Sequence, residues 1–277
     1  MADITAAMVQ ELREATNVGM MECKRALVEA GGDKDQAIRL LRERGMAIAA
    51  KKSTRTANQG LIATAGDSKA SILIEINCET DFVTKNDNFQ KFVKEMAVKA
   101  ISIPDGKITE VTKAEMAAKI AEIGENLVAK RNIGYKLQGP GLVASYIHLN
   151  GKLGVLVEVG CGKEATGSSA VVQELAKDLT LHVAACSPRY LESKEVPADV
   201  VAAEREIYAK QVVGKPVNIV EKIVDGKMAK FYSQVCLIDQ GFVKDPDTSV
   251  TKLLAAKGKE VGDTLTIRRF VRWQLGE

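Results

Sequence analysis

Ile72-Leu73-Ile74-Glu75-Ile76-Asn77-Cys78 returns later in the chain as Val155-Leu156-Val157-Glu158-Val159-Gly160-Cys161. The elements on either side return with it. Gly60-Leu61-Ile62-Ala63-Thr64 precedes the first copy and Gly141-Leu142-Val143-Ala144-Ser145 the second, at an offset of 81 residues. A helical pattern follows each: 88–100 with Phe89, Phe92, Val93 and Met96 at helical spacing, and 169–185 with Val172, Leu175, Leu179 and Val183. Each helix stops before a proline, Pro104 or Pro188, since the residue ahead of proline is pushed out of the helical region. The last shared element, Glu122-Ile123-Gly124-Glu125-Asn126-Leu127-Val128-Ala129-Lys130-Arg131, returns as Glu260-Val261-Gly262-Asp263-Thr264-Leu265-Thr266-Ile267-Arg268-Arg269. It leads into strand-like stretches at 132–137 and 270–275. Each copy therefore reads strand, strand, helix, connection, strand, its first two strands joined by a short turn and paired antiparallel. The expectation is an α+β chain of two related subdomains, each a small three-stranded antiparallel sheet with packed helices, at 56–139 and 140–277, split near Gly139-Pro140-Gly141.

Residues 1–55 read as a separate three-helix module. Thr5 caps a helix with Met8, Val9 and Leu12 on one face; 16–19 breaks it. A second helix at 20–30 places Cys23, Ala26, Leu27 and Ala30 together, Gly31-Gly32 ends it, and Asp33 caps a third with Ala37, Ile38 and Leu41 inward. Lys51-Lys52-Ser53-Thr54-Arg55-Thr56 reads as a linker. The second subdomain carries an additional αα-hairpin within 195–233, its helices 197–213 and 217–232 joined by Gly214-Lys215-Pro216, either projecting from the body or packed on the sheet.

Composition narrows the function. With 277 residues, 27% charged and 46% hydrophobic, the chain is ordinary globular material. A net charge of +3 and 4% aromatics argue against direct nucleic-acid binding or a base-stacking surface. No apolar run approaches the ~20 residues of a membrane span, and neither a secretory nor a transit signal opens the chain, so a cytoplasmic, membrane-free protein is expected. Cys23, Cys78, Cys161, Cys186 and Cys236 are odd in number and scattered, the pattern of reduced buried thiols. His148 and His182 have no metal-ligand neighbours in sequence, so no metal or cofactor is expected. The glycine-rich run 162–169 lacks the lysine of a phosphate loop and reads as a flexible turn; no hydrolase, zinc-protease or dinucleotide motif occurs.

One segment breaks the repeat. After Cys78 the chain continues Glu79-Thr80-Asp81-Phe82-Val83-Thr84-Lys85-Asn86; after Cys161 it gives Gly162-Lys163-Glu164-Ala165-Thr166. A requirement of the shared fold belongs in both copies, so Thr80, Asp81, Phe82 and Val83 are candidates for function. The structural alternative is a capped helical turn, Thr80 or Asp81 capping and Phe82 or Val83 stapled to the core. Two other readings compete: a ubiquitin-like or peptide-binding module in 1–55, and an acid–base pair formed by Glu79 and Asp81.

At this segment the chain resembles the translation elongation factor Ts family, and the likeness covers essentially its whole length. Ile4-Thr5-Ala6, Leu12-Arg13-Glu14, Thr16 and Gly19-Met20-Met21-Glu22-Cys23-Lys24-Arg25-Ala26-Leu27 match the family's opening signature. Glu75-Ile76-Asn77-Cys78-Glu79-Thr80-Asp81-Phe82-Val83, Ile123-Gly124-Glu125-Asn126, His182-Val183-Ala184-Ala185 and Gly226-Lys227-Met228-Ala229-Lys230-Phe231-Tyr232 follow in order. The resemblance implies a ubiquitin-associated-like helical module ahead of two core subdomains and a helical hairpin. It implies a guanine-nucleotide exchange factor for elongation factor Tu, GDP-bound and nucleotide-free, that performs no bond chemistry. Thr80, Asp81, Phe82 and Val83 then intrude near the partner's nucleotide site and help displace Mg²⁺, Phe82 as the wedge and Asp81 as its polar neighbour. Arg13, Met20, Met21, Lys24 and Lys52 dock on the partner's nucleotide-binding domain, Gly124 and Asn126 lie in the contact region near the wedge, and His148 faces the partner's third domain. A homodimer through the hairpin is a further expectation. In one respect the chain departs from the family: many members continue past the last strand with a C-terminal helix that touches the partner, whereas this sequence stops at Gln274-Leu275-Gly276-Glu277.

Overall fold

The computed structural model describes residues 4–16, 18–212 and 216–277. Thr5 opens the first helix, α1 (Ala6–Thr16), its Oγ1 accepting the Met8 N–H at 3.3 Å. Helix α2 (Met20–Glu29) ends at Gly31 and Gly32, whose φ values of 62° and 91° suit glycine. Helix α3 (Lys34–Lys52) starts from Asp33, whose side chain accepts the Gln36 N–H at 2.9 Å. Leu12, Cys23, Ala26, Leu27 and Ala37 close this head's small core. The expected cap, turn and face are thus in place for each helix; Asn17, in the first break, lies outside the described residues.

The first lobe contains β1 (Gln59–Gly66), β2 (Ala70–Cys78), α4 (Asp81–Thr84), α5 (Asp87–Ala100), α6 (Ile108–Val111), α7 (Lys113–Ile123) and β3 (Leu127–Lys136), with sheet order β1-β2-β3. The second repeats it with β4 (Gly141–His148), β5 (Leu153–Cys161) and α8 (Ala170–Cys186). After α8 come the hairpin helices α9 (Ala198–Lys210) and α10 (Val217–Val235), a two-stranded ribbon β6 (Gly241–Phe242) and β7 (Asp245–Ser249), then α11 (Val250–Val261) and β8 (Leu265–Gln274). The order β4-β5-β8 matches the first sheet, and all neighbours in both are antiparallel. The α+β class read from the repeat is the observed one. Helices α5 and α8 each lay an apolar face on their own sheet.

Two boundaries differ from the sequence reading. Strands β3 and β8 begin at Leu127 and Leu265, five residues ahead of the stretches assigned to strand. The basic pairs Lys130-Arg131 and Arg268-Arg269 interrupt the alternation, and the structure explains them. The sheet register shifts after Glu75 and again after Glu158, a bulge in each copy that places two adjacent cations against one buried carboxylate. The second difference is the linker. Helix α3 continues through Lys51 and Lys52, because Ile48 and Ala49 pack into the first lobe's core against α7. The head is joined by a helix.

The two sheets meet face to face around Ile62, Leu73, Tyr135, Val143 and Leu156. They pack tightly at Gly154, where a Cβ would lie 2.5 Å from Ile62 Cγ2. Reciprocal bonds lock them. Glu75 and Glu158 are fully buried. Glu75 pairs with Arg131 at 2.6 Å and Lys130 at 3.4 Å; Glu158 pairs with Arg269 at 2.7 Å and Arg268 at 3.1 Å. Each carboxylate also accepts a backbone N–H from beyond the last strand of the opposite lobe, Gln138 on Glu158 at 2.8 Å and Gly276 on Glu75 at 3.4 Å. Arg131 donates to Gln274 O and stacks on Trp273; Arg269 donates to Lys136 O and stacks on Tyr135. Each contact has its counterpart under exchange of the lobes.

Helices α9 and α10 pack on each other around Val224, Met228 and Phe231, with Val200 and Tyr208 against them, a cluster separate from both lobe cores. That self-contained packing is the arrangement of a projecting arm. The joint at Gly214-Lys215 lies outside the described residues. His182 is buried, its Nε2 3.0 Å from Gln240 Oε1 and its Nδ1 accepting the Val243 N–H at 3.1 Å, as a packing residue would be. No described helix is long and apolar enough to cross a membrane.

Candidate partner-binding site

Strand β2 ends at Cys78, and the chain leaves the sheet through a clamp. The Glu125 carboxylate accepts the N–H groups of Glu79 at 3.1 Å and Thr80 at 3.0 Å and the Thr80 hydroxyl at 2.6 Å. In return, Glu79 accepts the Asn126 N–H at 2.6 Å and faces the Arg55 guanidinium at 3.7 Å. Asn126 is buried and donates from Nδ2 to Arg55 O at 2.7 Å. Lys52 donates to Gly124 O. Gly124 ends α7 at φ 84°, a left-handed position that suits glycine and turns Glu125 back toward β2. Burial first, and then the Glu125 charge, push the Cys78 thiol up to about 12, so it stays protonated and donates to Thr80 O at 3.1 Å.

From this clamp Thr80 launches α4. Its backbone is at the N-cap position, but its hydroxyl is committed to Glu125 and caps nothing. At the far end Thr84 is buried and its hydroxyl donates to Asp81 O at 2.6 Å, while Gln90 on α5 donates to Thr84 O at 3.1 Å. Val83 packs against the lobe core. Phe82 does not; it is 78% exposed, with Lys85 Nζ 5.7 Å above its ring. Asp81 is exposed and pairs with Lys85 at 2.7 Å, and the hydrogen bond from Lys85 is the main cause of its lowered pKa. The stapling alternative therefore holds for Val83 and fails for Phe82: an aromatic ring is held in water on a turn fastened at both ends. A lone exposed apolar side chain is ordinary on a protein surface; what sets this ring apart is the fastened turn that carries it and its absence from the second lobe.

The second lobe carries the same clamp without the tip. Asp263, after the left-handed Gly262, accepts the N–H groups of Gly162 at 3.1 Å and Lys163 at 2.9 Å. This corrects the reading of 162–169 as a flexible turn: it is pinned by Asp263, coiled into a 3-10 turn at 164–168, and closed by Ser169 capping α8. The clamp belongs to the repeated fold, and Phe82 is the addition. Glu125 was missed as a positioning residue, although its alignment with Asp263 in the repeat carried the signal.

The candidate residues fall into three groups. Thr80, Asp81, Phe82, Val83, Gly124, Asn126 and Lys52 converge at one end of the first lobe; Asn126 is buried there, while Lys52 is half-buried and donates to the carbonyl of the exposed Gly124. Arg13, Met20, Met21 and Lys24 lie exposed on the helical head, with Met21 and Lys24 beside Val28 and Arg44 around a shallow cleft. His148 is exposed at the end of β4, its Nδ1 2.7 Å from the Tyr146 hydroxyl and its ring stacked on that of Tyr146. The turn after it, 149–152, forms with Thr84 and Lys85 the walls of a cleft of about 680 Å³.

The clamp makes a stability prediction. Glu125→Ala removes three hydrogen bonds to a charged acceptor, and should lower unfolding free energy by about 2 kcal/mol. Urea titration measures the loss, and amide exchange at Glu79 and Thr80 should speed up with it; unchanged protection there would remove the clamp.

These features define a class: a two-lobed α+β protein built on a duplicated unit, with a helical head, a helical arm and an exposed aromatic turn. A family model described as Elongation factor TS matches residues 79–277. Curated relatives match nearly end to end. The Elongation factor Ts of Trichlorobacter lovleyi is 43% identical over 290 aligned residues, covering 99% of this chain and 93% of that protein. That of Nitratidesulfovibrio vulgaris is 41% identical over 278, covering 99% and 96%, and that of Clostridium novyi 43% over 291, covering 99% and 93%. The chain belongs to the elongation factor Ts family, proteins of translation elongation.

Proposed function

We propose that this protein is a guanine-nucleotide exchange factor for elongation factor Tu: it binds the GDP-loaded partner, displaces Mg²⁺, and releases GDP so that GTP enters. The observation that carries this reading is the exposed ring of Phe82 on a turn fastened at both ends and present in one lobe alone. A bound nucleoside diphosphate is held by backbone amides at a helix N-terminus and by Mg²⁺, which demands near-octahedral oxygen ligands. A rigid wedge that shifts those ligands slightly therefore weakens the ion strongly. By linkage the factor and the nucleotide weaken each other by the same ratio, and a thousandfold effect requires about 4 kcal/mol of coupling. One buried aromatic anchor supplies about 2 kcal/mol or more. The remainder falls to the exposed face of the head, with Arg13, Met20, Met21 and Lys24, and to His148 on the second lobe. Asp81 serves as the polar contact beside the wedge. Lys52, Gly124 and Asn126 act by holding the tip in place.

Release of fluorescent GDP from elongation factor Tu, followed with and without this protein, tests the reading; equal release rates would end it. Lys24 is exposed and makes no ion pair among the described residues. Lys24→Ala should therefore weaken the complex by about fivefold and leave thermal unfolding unchanged, as a charge at an interface rim does. Calorimetric titration and a melting curve separate the two effects, and a lowered melting point would place Lys24 in the fold instead.

A further inference from the structure

The chain departs from its own repeat at a second place, in the turn that joins the first two strands of each sheet. Gly66 pairs with Ser71, and at the equivalent places Ile147 pairs with Gly154. Four residues, Asp67-Ser68-Lys69-Ala70, lie between the first pair; six, His148-Leu149-Asn150-Gly151-Lys152-Leu153, lie between the second. The shorter turn is closed by its own side chain, Asp67 Oδ1 accepting the N–H groups of Lys69 at 2.7 Å and Ala70 at 3.0 Å. The longer one leans on the other lobe. Gly151 lies against β1, where a Cβ would be 2.8 Å from Leu61 Cδ2. Lys152 Nζ donates to Gln59 Oε1 and Gly60 O, both at 3.3 Å, and the Leu275 N–H donates to Lys152 O at 2.9 Å. Those contacts account for Gly151 and Lys152. They leave Leu149 without a reason.

Leu149 stands at φ 49° and Asn150 at φ 52°. Asparagine tolerates this left-handed region, but a leucine Cβ is crowded there by its own carbonyl. Burial does not offset the strain, because the side chain is 63% exposed. A leucine held in water, in a backbone conformation that disfavours it, on a turn longer than its sibling, fits a contact outside the molecule better than one within; backbone strain concentrates at binding sites. Its location agrees. Leu149 borders the cleft of about 680 Å³ together with Thr84 and Lys85, which close the turn carrying Phe82, and Leu61, Val93 and Ile147 give that cleft an apolar lining.

We propose that Leu149 is a second anchor for the partner: an apolar side chain of the second lobe that enters an apolar recess of elongation factor Tu, beside the site taken by Phe82, given the exchange-factor reading on which this rests. Anchors that carry binding energy are those that fill a desolvated pocket. Two fastened tips, one on each lobe and bordering one cleft, hold a rigid partner in a single orientation, whereas one anchor leaves it free to turn about the contact. Gly151 and Lys152 then set the spacing of the tips by seating the turn of the second lobe on β1 of the first.

The test titrates nucleotide-free elongation factor Tu with the full chain by calorimetry, with melting curves and GDP release measured beside it. Leu149→Asn keeps a residue that accepts the left-handed backbone and removes the apolar side chain. It should weaken the complex by about tenfold and slow GDP release at subsaturating factor, with a melting temperature equal to or above the parent's. Leu149→Met restores an apolar side chain of similar size and should bind within about twofold of the parent. Parental affinity in Leu149→Asn overturns the proposal. So does a lowered melting temperature in that variant, which would place the leucine in the fold. Because the titration reads binding alone, it judges the anchor even where the parent fails to accelerate GDP release, the separate result that ends the exchange-factor reading.

Discussion

Replacing Phe82 by alanine is expected to slow GDP release from elongation factor Tu by about thirtyfold or more at subsaturating factor, and to leave the melting temperature unchanged. The magnitude follows from the ~2 kcal/mol or more that a desolvated aromatic anchor contributes at an interface. The absence of a stability effect follows from where the ring sits. It is mostly in water, so truncation removes no core contact and opens no cavity. Its one intramolecular neighbour of note is the exposed Lys85 ammonium, a contact of about 0.5 kcal/mol. The turn beneath it is held by hydrogen bonds of Glu125, Thr84 and Gln90 to backbone groups, which the truncation leaves in place. Val83→Ala is the matched control with the opposite signature, because Val83 packs into the lobe core: stability should fall by about 1 kcal/mol, with exchange by the folded protein less affected than in Phe82→Ala. Stopped-flow release assays and melting curves on both variants decide it. Parental exchange by Phe82→Ala would leave the wedge without support.

Much of the architecture was legible because the chain states it twice. The runs ending at Cys78 and Cys161 mark equivalent strands, and the break in correspondence at Glu79-Thr80-Asp81-Phe82 singles out the tip. What stayed hidden depends on partners far apart in sequence. Lys130-Arg131 and Arg268-Arg269 read as the polar end of a helix–strand connection, since a bulge and a buried carboxylate on another strand are needed to make two adjacent cations belong inside a sheet. Helix α3 was cut short at a basic run because the reason for its last turns is the core of another lobe, which Ile48 and Ala49 enter. The bonds of Lys52 to Gly124 O and of Asn126 to Arg55 O join residues about 70 positions apart, which no local pattern in the chain shows. The amides of Gln138 and Gly276, which complete the glutamate sites, have no side-chain signature at all.

Glu158→Ala should be the most destabilising single change in the fold, costing about 3–5 kcal/mol against a total stability of about 5–15 kcal/mol for a domain. Glu158 is fully buried, and its removal strands the half-buried guanidinium groups of Arg268 and Arg269 and leaves the Gln138 N–H without its acceptor. Because that N–H comes from the other lobe, both the second sheet and the junction between lobes weaken. Glu158→Gln keeps the shape and loses the charge, so it should fall between the parent and alanine. The pH dependence distinguishes charge from shape. Burial pushes the Glu158 carboxyl up, but the Gln138 N–H, then Arg269 and Arg268, outweigh it and hold the group below the ordinary carboxylate range. Native Glu158 thus binds its proton less readily than the unfolded chain does. Its stabilisation is fully present above the unfolded value of about 4.3 and drains away as pH falls through the lower folded value. Urea unfolding of parent and Glu158→Gln should therefore differ most near neutrality and converge in acid. A gap of the same size at both ends of the range would mean that packing around the side chain, and not its charge between two arginines, joins the lobes.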